Sequence, residues 1–346
     1  MEGLIVQYPI SNTQYPIEED VTRMPVTAEI PKEKWTGSVR EVTLGATAEQ
    51  GGTRAKTVTV GGETTLPFLH FEGEMPHPPV IAIEIQDHYP EDWSALLKKT
   101  WGDALNDPAT WAKRAEGYGA DLIMLKLRGA DSEGNETSPD EAATTVKNVL
   151  AATGLPLIVR GPGQAELDNE LLVVVAEAAK GERIVLGLCE DKNYRTIVAA
   201  ALAHDQLVIS STPMDVNLSK QLTILISDMS FPLNRILMDP TTGALGYGIE
   251  YGYSVMERLR IAALTGDTMT QQPMICFVGE ESWRQKESKA GEGVPEAWGD
   301  WPKRGLTWEE MTATTLLLSG ADIVTIRHPE TVQIVKGFIE KLMTGS

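Results

Sequence analysis

A chain of 346 residues with 42% hydrophobic and 23% charged side chains has the composition of an ordinary globular protein, long enough for one large domain or two small ones. Its formal net charge of -19 and pI near 4.7 repel phosphate backbones and anionic lipid surfaces, which argues against nucleic acid and membrane as partners. Two cysteines, Cys189 and Cys276, are too few for an iron–sulfur cluster, which takes four protein ligands.

Those cysteines sit far apart, inside or at the end of apolar runs, and read as small buried hydrophobes of a reducing compartment. No run approaches the ~20 apolar residues of a membrane span. Met1-Glu2-Gly3 lacks the basic start and apolar core of a secretory signal, so the expected location is the cytoplasm.

Residues 1–36 read as an irregular arm. Pro9, Pro16, Pro25 and Pro31 punctuate it, and Leu4, Ile5, Val6, Tyr8, Tyr15 and Ile17 are apolar enough to dock it as a strap. Residues 37–78 read as a β-hairpin region packed on the main domain. The stretches 38–44 and 56–60 alternate apolar and polar residues, with Gly45, Gly51-Gly52 and Gly61-Gly62 at their ends.

From 79 to 346 the pattern changes. Near-continuous apolar runs at 80–85, 122–127, 157–159, 184–188, 207–209, 236–238, 274–278 and 323–326 recur about every 34 residues, the spacing of a βαβ repeat. Helix signals fall between them: Asp107-Pro108, the capping box Ser138-Pro139-Asp140-Glu141, and Thr307-Trp308-Glu309-Glu310, with Gly119, Gly154, Gly181 and Gly320 as stops. Eight such units argue for an α/β fold, a closed (β/α)8 TIM barrel. A doubly wound open sheet is disfavoured because no G-x-G-x-x-G follows the first strand.

In a barrel, chemistry sits on the loops after the strands. Those loops offer Gln86, Asp87 and His88; Arg128 and Asp131; Arg160; Cys189, Glu190 and Asn193; Asp215 and Asn217; Asp239; Glu280 and Glu281; and Arg327-His328. Neither His88 nor His328 belongs to a metal-ligand pair, so no metal site is expected. No nucleophile elbow or phosphate loop is present, so no catalytic residue is named. Glu280 and Glu281 read as a solvated loop. Asp215, Asn217 and Asp239 could hydrogen-bond the pyrimidine edge of a pterin, while Asp215 or Asn217 could equally cap the next helix. Gly243, Leu245, Gly246, Tyr247 and Gly248 form a glycine-tyrosine loop suited to a planar cofactor or simply to a tight turn.

Several motifs in order carry a resemblance: Leu44-Gly45-Ala46-Thr47, Gln50-Gly51-Gly52-Thr53-Arg54, Pro67-Phe68-Leu69-His70-Phe71-Glu72-Gly73-Glu74, Tyr118-Gly119-Ala120-Asp121, Leu245-Gly246-Tyr247-Gly248-Ile249-Glu250-Tyr251, Met256-Glu257-Arg258 and Arg327-His328-Pro329-Glu330. Over residues 38–343 the chain resembles the small subunit of the corrinoid/iron–sulfur protein. Archaeal relatives of that family are called the delta subunit of the acetyl-CoA decarbonylase/synthase complex.

The resemblance implies a TIM barrel in a heterodimer with a large subunit that carries a [4Fe-4S] domain and a B12 domain. The cobalamin (corrinoid) is shared at that interface, and no cluster lies in the small chain. A methyl group moves from methyltetrahydrofolate:corrinoid methyltransferase to acetyl-CoA synthase/CO dehydrogenase, in the reductive acetyl-CoA (Wood–Ljungdahl) pathway. The barrel-top residues expected nearest the cofactor are Gly243, Leu245, Gly246, Tyr247, Gly248, Asp215, Asn217, Asp239 and Arg327. The competing reading is a pterin-dependent methyltransferase barrel that binds methyltetrahydrofolate itself.

Overall fold

The computed structural model describes residues 30–128 and 137–344. Asp131 and the arm up to residue 29 lie outside the described residues. Two short strands, β1 (Val42–Leu44) and β2 (Val58–Val60), pair antiparallel with Val42 opposite Val60.

Eight parallel strands come next: β3 (Val80–Gln86), β4 (Leu122–Lys126), β5 (Leu157–Arg160), β6 (Val185–Cys189), β7 (Leu207–Ser211), β8 (Ile236–Asp239), β9 (Met274–Cys276) and β10 (Ala321–Ile326). They hydrogen-bond in chain order, and β10 closes onto β3 with Ile323 opposite Val80. Each expected run is a strand, and closure excludes the open sheet.

Helices α1 (Ala95–Trp101) and α2 (Pro108–Gly117) cross from β3 to β4. Single helices make the next five crossings: α3 (Pro139–Ala152), α4 (Ala165–Ala178), α5 (Tyr194–Ala203), α6 (Val216–Asp228) and α7 (Ile249–Leu264). Between β9 and β10 lie α8 (Val278–Arg284), the short α9 (Lys286–Lys289) and α10 (Trp301–Leu318), and α11 (Pro329–Thr344) ends the ring. Local chemistry sets several starts. Asp107 accepts from Thr110 N ahead of Pro108, and Ser138 and Glu141 cap reciprocally.

Two local readings are corrected. The Thr307–Glu310 pattern lies inside α10, whose N-cap is Asp300 accepting from Lys303 N. Glutamate is a good helix former, so the pattern also arises in helix interiors. The seventh strand stops at Cys276 and Val278 opens α8, so Glu280 and Glu281 lie on a helix and not in a solvated loop.

Side chains alternate faces along a strand. Ile81, Ile83, Ile85, Ile123, Leu125 and Val159 face the helices in one apolar cluster. Val80, Ala82, Leu122, Met124, Ile158, Leu207, Ile209, Leu237 and Ile323 fill the ring together with Val42, Leu44, Val58 and Val60. The hairpin therefore stoppers the N-terminal end of the barrel. Arg54 fastens it: the residue is 3% exposed and its side chain donates to the carbonyls of Leu150, Thr153 and Leu155 and to Glu182. With that end plugged, the C-terminal mouth is where a ligand or partner reaches the strands.

Candidate functional site at the barrel mouth

The inward-facing series changes character toward the mouth. Val80 and Ala82 give way to Glu84 and Gln86; Leu122 and Met124 to Lys126; Ile158 to Arg160; Leu207 and Ile209 to Ser211; Leu237 to Asp239; and Ile323 and Thr325 to Arg327. The strand alternation that packs the lower barrel with aliphatics thus delivers charge to one layer at the top.

The basic groups of this layer are each paired with a carboxylate. Arg327 grips Glu84 with two parallel bonds, Nε to Oε2 at 2.8 Å and Nη2 to Oε1 at 2.6 Å. Its guanidinium lies 4.8 Å from the Trp93 ring centroid, and Gln86 adds a third donor to Glu84. Glu280 reaches in from α8 to accept from Lys126 at 2.8 Å and from Arg160. Arg160 lies over Phe277, 4.5 Å from the centroid. Burial works against the Glu280 charge, yet Arg160 and Lys126 overcome it and hold the carboxyl far below the usual range. Burial alone would lower the Arg327 pKa, but Glu84 raises it above the ordinary value.

Asp239 is the isolated acid of the layer. It accepts from Ser211 Oγ at 2.8 Å and from Thr241 N at 3.0 Å, and burial pushes its carboxyl up to about 6. Asp168, on α4 behind the mouth, is likewise pushed up to about 6 by burial, against the bond it accepts from Gly163 N. His328 is buried against Trp283 with ring centroids 6.2 Å apart, and burial brings it down to about 4, so it stays neutral.

Asp215 is an N-cap: its Oδ1 accepts from Asn217 N at 2.7 Å and Leu218 N at 2.9 Å. Asn217 is exposed in the first turn of α6. The glycines of the 243–248 loop are used to close the loop on itself. A Cβ on Gly243 would lie 2.2 Å from Gly248 O, and one on Gly246 2.9 Å from Trp308 Cζ2. Trp308 Nε1 donates to Leu245 O at 2.9 Å. Tyr247 at the tip is 80% exposed.

Between the β6–α5 and β7–α6 loops the rim holds a cleft of about 760 Å³. Ser211, Thr212 and Thr241 line it, Leu218, Leu222 and Leu225 form its apolar wall, and Glu190, Asp191 and Lys192 stand at its edge.

Of the nine residues singled out from sequence, Asp239 and Arg327 belong to the buried mouth layer, Asp215 and the three glycines shape loops, and Leu245 is half-buried. Tyr247 and Asn217 present exposed side chains. Glu84 and Lys126 escape sequence reasoning because each lies within an apolar run. Counting every second residue from the aliphatic inward positions finds them. Among the described residues no three His, Cys, Asp or Glu side chains gather as a metal site, and no helix is long and apolar enough to cross a membrane.

The fold recurs in dihydropteroate synthases. That of Xanthomonas albilineans with 4-aminobenzoic acid matches 78% of this chain and 95% of its own at TM-score 0.54 and 12% identity. That of Thermus thermophilus matches 80% and 100% at 0.51 and 15%. Similarity at that level speaks for the barrel alone.

Sequence comparison is more specific. The acetyl-CoA decarbonylase/synthase complex subunit delta of Archaeoglobus fulgidus is 40% identical over 313 residues, 88% of this chain and 68% of the relative. The subunit of the same name from Methanopyrus kandleri is 37% identical over 311 residues, 89% and 76%. A family model for the CO dehydrogenase/acetyl-CoA synthase delta subunit matches residues 41–335. With the hairpin-stoppered barrel, these matches place the chain in the CO dehydrogenase/acetyl-CoA synthase delta subunit family.

Proposed function

We propose that this chain is the small barrel subunit of a corrinoid/iron–sulfur methyl carrier. Its mouth covers the B12 cofactor of a larger partner subunit, and it supplies no catalytic residue of its own. In this reading the pair carries a methyl group from methyltetrahydrofolate:corrinoid methyltransferase to acetyl-CoA synthase. The bound corrinoid supplies the methyl-accepting cobalt.

The observation that carries the reading is the self-paired mouth. Lys126, Arg160 and Arg327 each have a carboxylate partner within the chain. Such a layer keeps a fixed shape, with those three cations already engaged among the described residues. The exposed Tyr247 ring adds flat contact area above it. Asp239 and Arg327, engaged internally, would shape the covered surface from beneath, and the glycines of residues 243–248 would hold Tyr247 in place. A cytoplasmic location is part of the same proposal.

Purified alone, the full chain should carry no corrinoid absorption, and the spectrum should appear only with the partner subunit. A single chain that retains stoichiometric B12 refutes the proposal.

The pterin reading needs free carboxylate and amide groups. Asp215 engages Oδ1 in the α6 cap, and Asp239 accepts from Ser211 and Thr241. Calorimetry of the isolated chain with methyltetrahydrofolate is expected to show no binding. Micromolar binding abolished by Asn217→Ala would transfer the assignment to a pterin-dependent methyltransferase.

A further inference from the structure

The rim cleft has a hydrogen-bonding character set by where its hydroxyl protons go. Ser211 Oγ donates to Asp239 Oδ2 at 2.8 Å. Thr241 Oγ1 donates to Thr212 O at 2.6 Å. Ser219 Oγ donates to Asp215 O at 2.9 Å, so in its 2.7 Å contact with Thr212 Oγ1 the threonine is the donor.

A hydroxyl has one proton and two lone pairs. All three hydroxyls lining the cleft spend their proton within the protein, which leaves them only lone pairs for a ligand. Glu190 and Asp191 add carboxylate acceptors at the lip, against the ammonium of Lys192 and the amide of exposed Gln221. Thr241 is held at φ 66°, a left-handed conformation that is costly for a β-branched residue. Its bonds from N to Asp239 and from Oγ1 to Thr212 O fix it there. Across from this acceptor floor, Leu218, Leu222, Leu225 and Pro213 offer an aliphatic wall. The volume of about 760 Å³ is that of a small-molecule site.

We infer that this cleft is a binding site for an N–H donor head, a primary amide or an alkylammonium, carried on an apolar stem. The head meets the lone pairs of Ser211, Thr212 and Thr241, and the stem lies along the leucines. A carboxylate head would face acceptors with no proton to share and would leave them desolvated and unpaired. The inference goes beyond the methyl-carrier reading and does not depend on it. The amide arms of a corrin and a free small amine or amide are two sources of the same chemistry.

The test uses the full chain and three probes of matched stem: hexanamide, hexylamine (an ammonium at pH 7) and hexanoate, read by ligand-observed NMR titration. The amide and the ammonium should bind roughly tenfold or more tighter than the carboxylate. Thr241→Val should weaken hexanamide roughly fivefold or more and leave hexanoate unchanged. Leu218 is 43% exposed, so Leu218→Asp tests the wall without risk to the fold and should weaken hexanamide while tightening hexylamine. Hexanoate binding as tight as hexanamide, or equal binding by all variants, overturns the proposal. Competition with dicyanocobinamide then separates the sources. Displacement of hexanamide supports the site and points to corrin amide arms, whereas retained hexanamide with the stated head-group order supports it with a free ligand.

Discussion

Replacing Arg260 by leucine is expected to lower the unfolding free energy by about 3–5 kcal/mol, measured by urea denaturation of the full chain. Arg260 lies on α7 with its side chain 3% exposed, between Glu63 and Asp322, whose side chains are 4% and 3% exposed. Its Nη2 donates to Asp322 Oδ2 at 2.8 Å and to Gly320 O, and Nη1 reaches Glu63 Oε2 at 3.5 Å. Removing it strands two carboxylates and a carbonyl where water does not reach. Glu63 already stands well above the usual carboxyl value, first through burial and then through the charge of Asp322, with Arg260 as the opposing influence.

A carboxyl raised in the folded state binds more protons there than in the unfolded chain. Its contribution to stability is complete below the unfolded pKa and is lost as pH rises through the folded one. Without Arg260 that loss deepens, so the variant should be weakest at pH 8 and partly recover at pH 5. Equal destabilisation at both values would show that the arginine is not answering buried charge. Combining Arg260→Leu with Glu63→Gln and Asp322→Asn should restore much of the loss, because the cost lies in the unpaired charges and not in the missing bonds.

That triad also shows where sequence reasoning stops. The ring of eight strands was legible because a strand covered on both faces must be apolar at nearly every position, and β3 to β10 obey that rule. The hairpin was legible from its period of two and its bounding glycines. The partner of a buried charge has no local signature. Glu84 is bonded to Arg327 across 243 residues, and Arg260 to Glu63 across 197. The nearness of such residues exists only once the barrel has closed. Local motifs failed where a tertiary role reused the same residue types: Glu309 lies within the Thr307–Glu310 pattern that reads as a helix start, and it serves a different helix altogether. The cleft has no sequence signature for a related reason. Ser211, Thr212 and Thr241 are common loop residues, and only their bonding directions make them a coherent acceptor surface.

Glu309 carries the second large effect. It lies within α10, fully buried, and accepts from Arg327 N at 2.7 Å, His328 N at 3.2 Å and Thr331 Oγ1 at 2.7 Å. Two of those donors are backbone amides just ahead of α11, the kind that a helix start leaves without a partner. Glu309 thus caps α11 from another element, and its negative charge faces the positive end of that helix. Glu309→Ala leaves three buried donors unsatisfied beside a new cavity, an expected cost of about 3–5 kcal/mol. The same change loosens the backbone of Arg327, and with it the Glu84 pair and the Trp93 contact on which the mouth layer depends.

The isosteric Glu309→Gln separates charge from shape. Burial pushes the Glu309 carboxyl up to about 7, against the hydrogen bonds that favour its charged form. The sign is the same as for Glu63: the stabilising contribution is full below the unfolded carboxyl value, near 4.5, and is lost as pH rises through about 7. The glutamine has no such dependence. The stability gap between the parent and Glu309→Gln should therefore narrow from pH 5 to pH 8, by about 1–3 kcal/mol. A gap that widens over that range would mean that the donors outweigh burial and that the native mouth rests on a carboxylate already ionised in mild acid.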